Sequence, residues 1–138
     1  DKRVRVIEVS NGCCNEEGLK ELDLSGFVNL RELKVGSECF EYVKKVNICG
    51  LRELESVEIG SKSFRRDNDS KGGSFYLKDC PKLRELRITG VRSFEDYDVI
   101  EIENVDALEV IEIGDLNEWS YNFYFASLEL KSILIHSE

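Results

Sequence analysis

The sequence predicts a repeat solenoid that is β-rich, with two short parallel strands per coil, about five coils and little helix. Two observations carry that expectation. A six-position apolar pattern recurs along the chain, and the charges between those positions alternate in sign from one copy to the next.

The pattern is clearest in ELDLSGFVNLRELKVG, where Leu22, Leu24, Phe27, Leu30, Leu33 and Val35 stand at offsets 0, 2, 5, 8, 11 and 13. Val46, Ile48, Leu51, Leu54, Val57 and Ile59 repeat it, as do Phe75, Leu77, Cys80, Leu83, Leu86 and Ile88. Ile100, Ile102, Val105, Leu108, Ile111 and Ile113 form a fourth copy. A fifth, Phe123, Phe125, Leu128, Leu130, Ile133 and Ile135, fits with one residue deleted. The repeat cores are therefore placed at 22–35, 46–59, 75–88, 100–113 and 123–135, all within one domain spanning 1–138.

The last positions, Val35, Ile59, Ile88, Ile113 and Ile135, advance by 24, 29, 25 and 22 residues, the range of solenoid coils. The longest step contains RRDNDSKGG, a polar stretch read as a loop insertion at 65–73. Offsets 0 and 2, and again 11 and 13, show the alternation of a strand with one buried face. An aromatic residue follows each second strand, at Phe40, Phe64, Phe94 and Trp119, and is expected to close the coil's core.

Residues outside the apolar positions test the register. Stacked coils bring equivalent residues to a strand spacing of ~4.8 Å, where unlike charges attract and like charges repel. After offset 8 the copies carry Arg31, Glu55, Arg84, Glu109 and Lys131. Between offsets 11 and 13 they carry Lys34, Glu58, Arg87 and Glu112, ending in Leu134. Exposed pairs contribute little stability, so these columns specify register more than they hold the fold together.

The segments LRELKV, LESVEI, LRELRI and LEVIEI resemble leucine-rich repeats, and the likeness covers nearly the whole chain. VGSECF and IGSKSF are similar to a segment of the BspA-like, protist-type subgroup. The resemblance implies a right-handed leucine-rich-repeat superhelix that binds proteins and is found at cell surfaces or secreted. Glu38 and Lys62 stand where such repeats usually carry a turn-holding asparagine, so an asparagine ladder is not expected.

Composition narrows the function classes. A formal charge of −9 disfavours general nucleic-acid or anionic-lipid binding. Residues 93–138 carry 12 acids and one Lys, giving −11, so any partner steered there is basic. No apolar run is long enough for membrane insertion. The five cysteines and single His form no zinc-spaced cluster, and their odd number leans towards a reducing, intracellular setting.

No catalytic constellation stands out. His136 has no evident nucleophile to activate, and the Gly-Gly at 72–73 lacks the lysine of a phosphate loop. DNDSKGG opens like a calcium loop, with Asp67, Asp69 and Gly72, but Lys71 and Lys78 occupy two ligand positions. Acid pairs such as Asp96 with Asp98 or Glu101 with Glu103 could serve a carbohydrate-cleaving solenoid, a third and weaker reading.

The expectation is thus a non-enzymatic protein-interaction module without cofactor or metal. Its binding face is assigned to the outward column Asp23, Asn47, Tyr76, Glu101 and Tyr124, with Tyr121 beside it. That column lacks charge alternation and contains two tyrosines, a residue enriched at contacts between proteins. The rival expectation is a structural segment of a longer array that self-associates through the solenoid ends.

Overall fold

The computed structural model describes residues 2–65 and 72–114, together with the backbone of 127–131. Ten strands follow one another: β1 (Val6–Val9), β2 (Glu21–Asp23), β3 (Glu32–Val35), β4 (Lys45–Cys49) and β5 (Ser56–Ile59). Then come β6 (Gly73–Lys78), β7 (Glu85–Ile88), β8 (Tyr97–Glu103), β9 (Val110–Ile113) and β10 (Ser127–Lys131). Odd-numbered strands form one parallel sheet in the order β1-β3-β5-β7-β9, called the A sheet below. Even-numbered strands form a second, β10-β8-β6-β4-β2, called the B sheet. The chain is a β-solenoid of about 4 turns, with no helix among the described residues.

Alternation in the sequence dictates which side chains turn inward. Val46, Ile48, Phe75, Leu77, Ile100 and Ile102 of the B sheet are buried, as are Leu33, Val35, Val57, Ile59, Leu86 and Ile88 of the A sheet. Between the sheets, Leu30, Leu54 and Leu83 are fully enclosed. Parallel pairing places each on its counterpart one coil away, so an LxxL spacing in sequence becomes a column in space. Pairing runs Lys34 to Glu58, Glu58 to Arg87 and Arg87 to Glu112, which is the charge column read from the sequence.

The corner that leaves the A sheet is the most constrained part of the coil. Glu38 and Phe40, Lys62 and Phe64, and Arg92 and Phe94 all have positive φ, an uncommon backbone state for residues with a Cβ. Two left-handed residues separated by one swing the chain sharply inward and deliver the phenylalanine ring to the core. Phe40, Phe64 and Phe94 stack with centroids 4.9 and 4.5 Å apart and planes within 13°. That spacing matches the ~4.8 Å strand repeat, so the rings stack in step with the sheet.

A polar ladder accompanies the rings. Ser63 and Ser93 are fully buried. The Ser63 hydroxyl donates to the Gly36 carbonyl at 2.7 Å and accepts the Cys39 N–H at 3.2 Å. Ser93 repeats this one coil on, donating to Gly60 at 2.6 Å and accepting the Ser63 N–H at 3.2 Å. These hydroxyls thus bridge backbone groups of neighbouring coils at this corner. Gly36 and Gly60 sit where coils touch: a Cβ on Gly60 would lie 2.8 Å from the Gly36 carbonyl carbon.

Tyr97 packs against the ring stack where the chain enters the B sheet. Its ring meets Phe94 edge-on at 5.0 Å and Phe64 at 6.4 Å, and its hydroxyl donates to the Val43 carbonyl at 2.6 Å. Gly73 is paired with it because a Cβ there would overlap the ring. The register shifts at that point, and Asp98 is left as the extra, exposed residue of the bulge.

Two corrections to the sequence reading follow from the register. β1 is an additional strand: Ile7 pairs with Leu33 and Val9 with Val35, so the solenoid opens with half a coil. At the other end, Leu128 pairs with Ile100 and Leu130 with Ile102, the places assigned to Phe123 and Phe125. Lys131 accordingly lies opposite Glu103 rather than beyond Glu109. The cause is visible in FYFASLELKSILI, where three apolar alternations follow at five-residue intervals and the period alone cannot select one. Phe123, Phe125, Trp119, Ile133 and Ile135, together with Asp67, Asp69 and His136, lie outside the described residues.

Candidate functional site

The outward faces of the two sheets differ in how their side chains are used. On the A sheet, Arg87 Nη1 meets Glu112 at 2.7 Å and Arg87 Nη2 meets Glu85 at 3.6 Å. Arg84 meets Glu109 at 3.5 Å, and in the turn before the sheet Lys82 meets Glu53 at 2.7 Å. The contacts of Lys82 with Glu53, Arg84 with Glu109 and Arg87 with Glu112 run between coils, so this part of the face pairs its own charges and helps to fix the register.

The B sheet presents the column expected to bind. Asp23 pairs with Asn47, Asn47 with Tyr76, and Tyr76 with Glu101, all on the outward side. β10 extends the column with Glu129 opposite Glu101. This position belongs to Glu129, not Tyr124; Tyr124 and Tyr121 lie outside the described residues. Tyr76 and Glu101 are both partly buried.

Lys78, two residues along β6 from Tyr76, organises this patch. Its Nζ lies 3.1 Å from Glu101, 3.6 Å from Glu103 and 5.1 Å from the Tyr76 ring centroid. Hydrogen bonding to Glu101 raises the Lys78 pKa above the usual lysine range. Contact with a ring face adds roughly 0.5–1 kcal/mol at an exposed site. The sequence reading singled out Tyr76 and Glu101 and did not include Lys78, although its place two residues along the same strand was the available signal. Glu101 and Glu103, weighed as an acid pair, are drawn to one ammonium group.

Lower in the column, Asn47 donates to Asp23 at 3.3 Å and Cys49 donates to Asn47 at 2.7 Å. The Ser25 N–H donates to Asp23 at 3.0 Å and holds that carboxyl below its ordinary range.

Two polar depressions lie elsewhere. One, of about 270 Å³, is lined by Gly12, Asn15, Glu38, Glu41, Lys62 and Arg65 at the phenylalanine corner. Arg65 is held there by Glu95 at 2.6 Å. The second, about 360 Å³, lies over Glu8, Lys34 and Glu58. Among the described residues no three His, Cys, Asp or Glu side chains are placed to hold a metal ion. No helix there is long and apolar enough to cross a membrane. No family model, characterised protein or solved structure matches the chain.

Proposed function

We propose that the chain is a non-enzymatic recognition module that binds a protein partner through the outward face of the B sheet. The observation that carries this is the patch of Tyr76, Lys78 and Glu101, in which one ammonium group contacts both an aromatic ring and a carboxylate, on a column without the A sheet's alternating pairs. A ring of this kind offers contact area with little side-chain entropy to lose, and the adjoining carboxylates favour a partner carrying Arg or Lys. The fold in this reading is a right-handed leucine-rich-repeat superhelix of about five coils, of the BspA-like, protist-type subgroup. Its support is the set of LxxLxL segments whose leucines line the core.

The test begins with the chain as bait and identifies retained proteins by mass spectrometry. Affinity is then measured for Tyr76→Ala and Glu101→Ala, with Arg87→Ala on the A sheet as control. A loss of at least tenfold confined to the first two supports the face; unchanged affinity in both removes it.

A second reading, a self-associating segment of a longer array, draws on the partly open apolar end. Val6 is 49% exposed and Val28 42%, and Ile7, Leu22 and Phe27 are only partly covered. Against it, head-to-tail stacking would bring Glu129 to Asp23 and Glu112 to Glu8 if the register continued. Sedimentation at rising concentration separates the two readings, since a strict monomer is incompatible with the second.

A further inference from the structure

We propose that Cys13 and Cys39 form an oxidisable dithiol site that reacts with small disulfides and closes into a bridge between the first two corners of the solenoid. The Phe64 N–H donates to the Cys39 carbonyl, and the Phe94 N–H to that of Ser63. The Phe40 N–H donates in the same way to Cys13, at 3.3 Å. Cys13, Cys39, Ser63 and Ser93 are therefore successive rungs of one column.

Side chains of this column reach back towards the preceding coil. As Ser63 reaches Gly36, the Cys39 thiol reaches the Ser10 carbonyl at 3.1 Å, and it also lies 3.4 Å from that of Ser37. Cys13 lies 3.8 Å from the Asn11 carbonyl. The two sulfurs thus contact consecutive carbonyls of one short turn. Neighbouring rungs at ~4.8 Å lie within the Cα separation of about 4.4–6.8 Å that a disulfide spans.

Accessibility sets the order of events. Cys13 is exposed, whereas Cys39 is fully buried behind it. Cys14, the adjacent thiol, heads the column of phenylalanines, with φ of 63° beside 56° at Phe40. Burial and then the nearby Glu16 carboxylate raise its pKa, which lowers its thiolate fraction. Burial likewise pushes the Cys80 thiol up to about 11 and raises that of Cys49.

Cys13 loses its proton and attacks one sulfur of the small disulfide, breaking that bond and releasing one thiolate. The Cys39 thiolate then attacks the Cys13 sulfur of the mixed disulfide and releases the second thiolate. The two cysteines lose two protons and two electrons, and the small disulfide gains them as two thiols. The product ties the exposed first corner to the coil beneath it.

The experiment treats the full chain with oxidised glutathione and maps disulfides after trypsin, which cuts between Cys14 and Cys39. The expected product is a cross-linked pair of peptides, 6–20 with 35–44, joined through Cys13, with a rise of several degrees in the thermal midpoint. Cys39→Ser, which installs the residue used at the next two rungs, should stop at a glutathione adduct on Cys13 with no rise. Cys14→Ser should still cross-link, which keeps the test decisive if the first variant folds poorly. A Cys13–Cys14 bridge, a glutathione adduct persisting in the unsubstituted chain, or a free Cys39 thiol after oxidation would each overturn the proposal.

Discussion

The two corners of each coil solve the same problem, reversing a chain inside a stack, by different physics. Leaving the A sheet, the chain uses two left-handed residues, a buried serine hydroxyl and a stacked phenylalanine. Leaving the B sheet, it uses one left-handed residue per turn, Gly50, Asp79 or Asn104, followed by Leu51, Cys80 or Val105 in the core. Its polar contacts include a 2.8 Å surface bond from Asn104 to Asp79 and, inside, the weak donation of the Cys80 thiol to the Lys78 and Ile48 carbonyls at 3.3 and 3.8 Å. The difference shows that a corner can hold two left-handed non-glycine residues close together when buried hydroxyls satisfy the backbone it exposes.

The comparison breaks most severely at the middle of the ring stack. Phe64→Ala removes a ring sandwiched between Phe40 and Phe94 and touched by Tyr97, and is expected to lower stability by about 3–5 kcal/mol. Urea unfolding followed by circular dichroism would measure it. A loss below 1 kcal/mol would mean that the rings merely fill space that neighbours can reclaim.

Next in size is the serine ladder. Ser63→Ala strands a partly buried carbonyl at Gly36 and a buried N–H at Cys39, with an expected loss of about 1–3 kcal/mol. Cys80→Ala, at a fully buried place in the other corner, removes one sulfur atom and its weak donation to the Lys78 and Ile48 carbonyls at 3.3 and 3.8 Å, and should cost about 1 kcal/mol. If the two variants lose the same stability, the corners do not differ in the way described.

How far these features could be read from the sequence depends on whether their signal is periodic. Burial at Leu30, Leu54 and Leu83, and the pairing of Arg87 with Glu112, were legible because inward and outward positions alternate and the coils stack in register. The serine ladder was not, since Ser63 and Ser93 stand among charged neighbours and look like surface residues. β1 went unread because half a coil offers only Ile7 and Val9, with Cys14 where later coils place phenylalanine. The candidate face was half legible: Tyr76 beside Glu101 follows from alternation, but the reach of Lys78 to both acids and the ring requires its rotamer.

The smallest expected effect is a pH dependence centred on the second corner. Asp23 is held below its ordinary range, first by the backbone N–H of Ser25, and Glu53 is lowered by its hydrogen bond to Lys82. A carboxyl whose folded pKa is depressed stabilises the fold above its unfolded pKa, and loses that contribution as pH falls through the folded value. Stability should therefore be level from neutral pH to about 5 and decline below about 4, where unfolded carboxyls bind protons first. Lys78 works in the opposite sense, contributing below the ordinary lysine range and losing that contribution as pH rises through its raised pKa. Asp23 is exposed and the Glu53 side chain is 38% exposed, so screening keeps the effect small and salt should shrink it further. Urea midpoints at pH 3 and pH 6 measure it: the Asp23→Asn, Glu53→Gln double variant should show a smaller difference than the unsubstituted chain. An unchanged difference would place the acid-sensitive contacts elsewhere in the molecule.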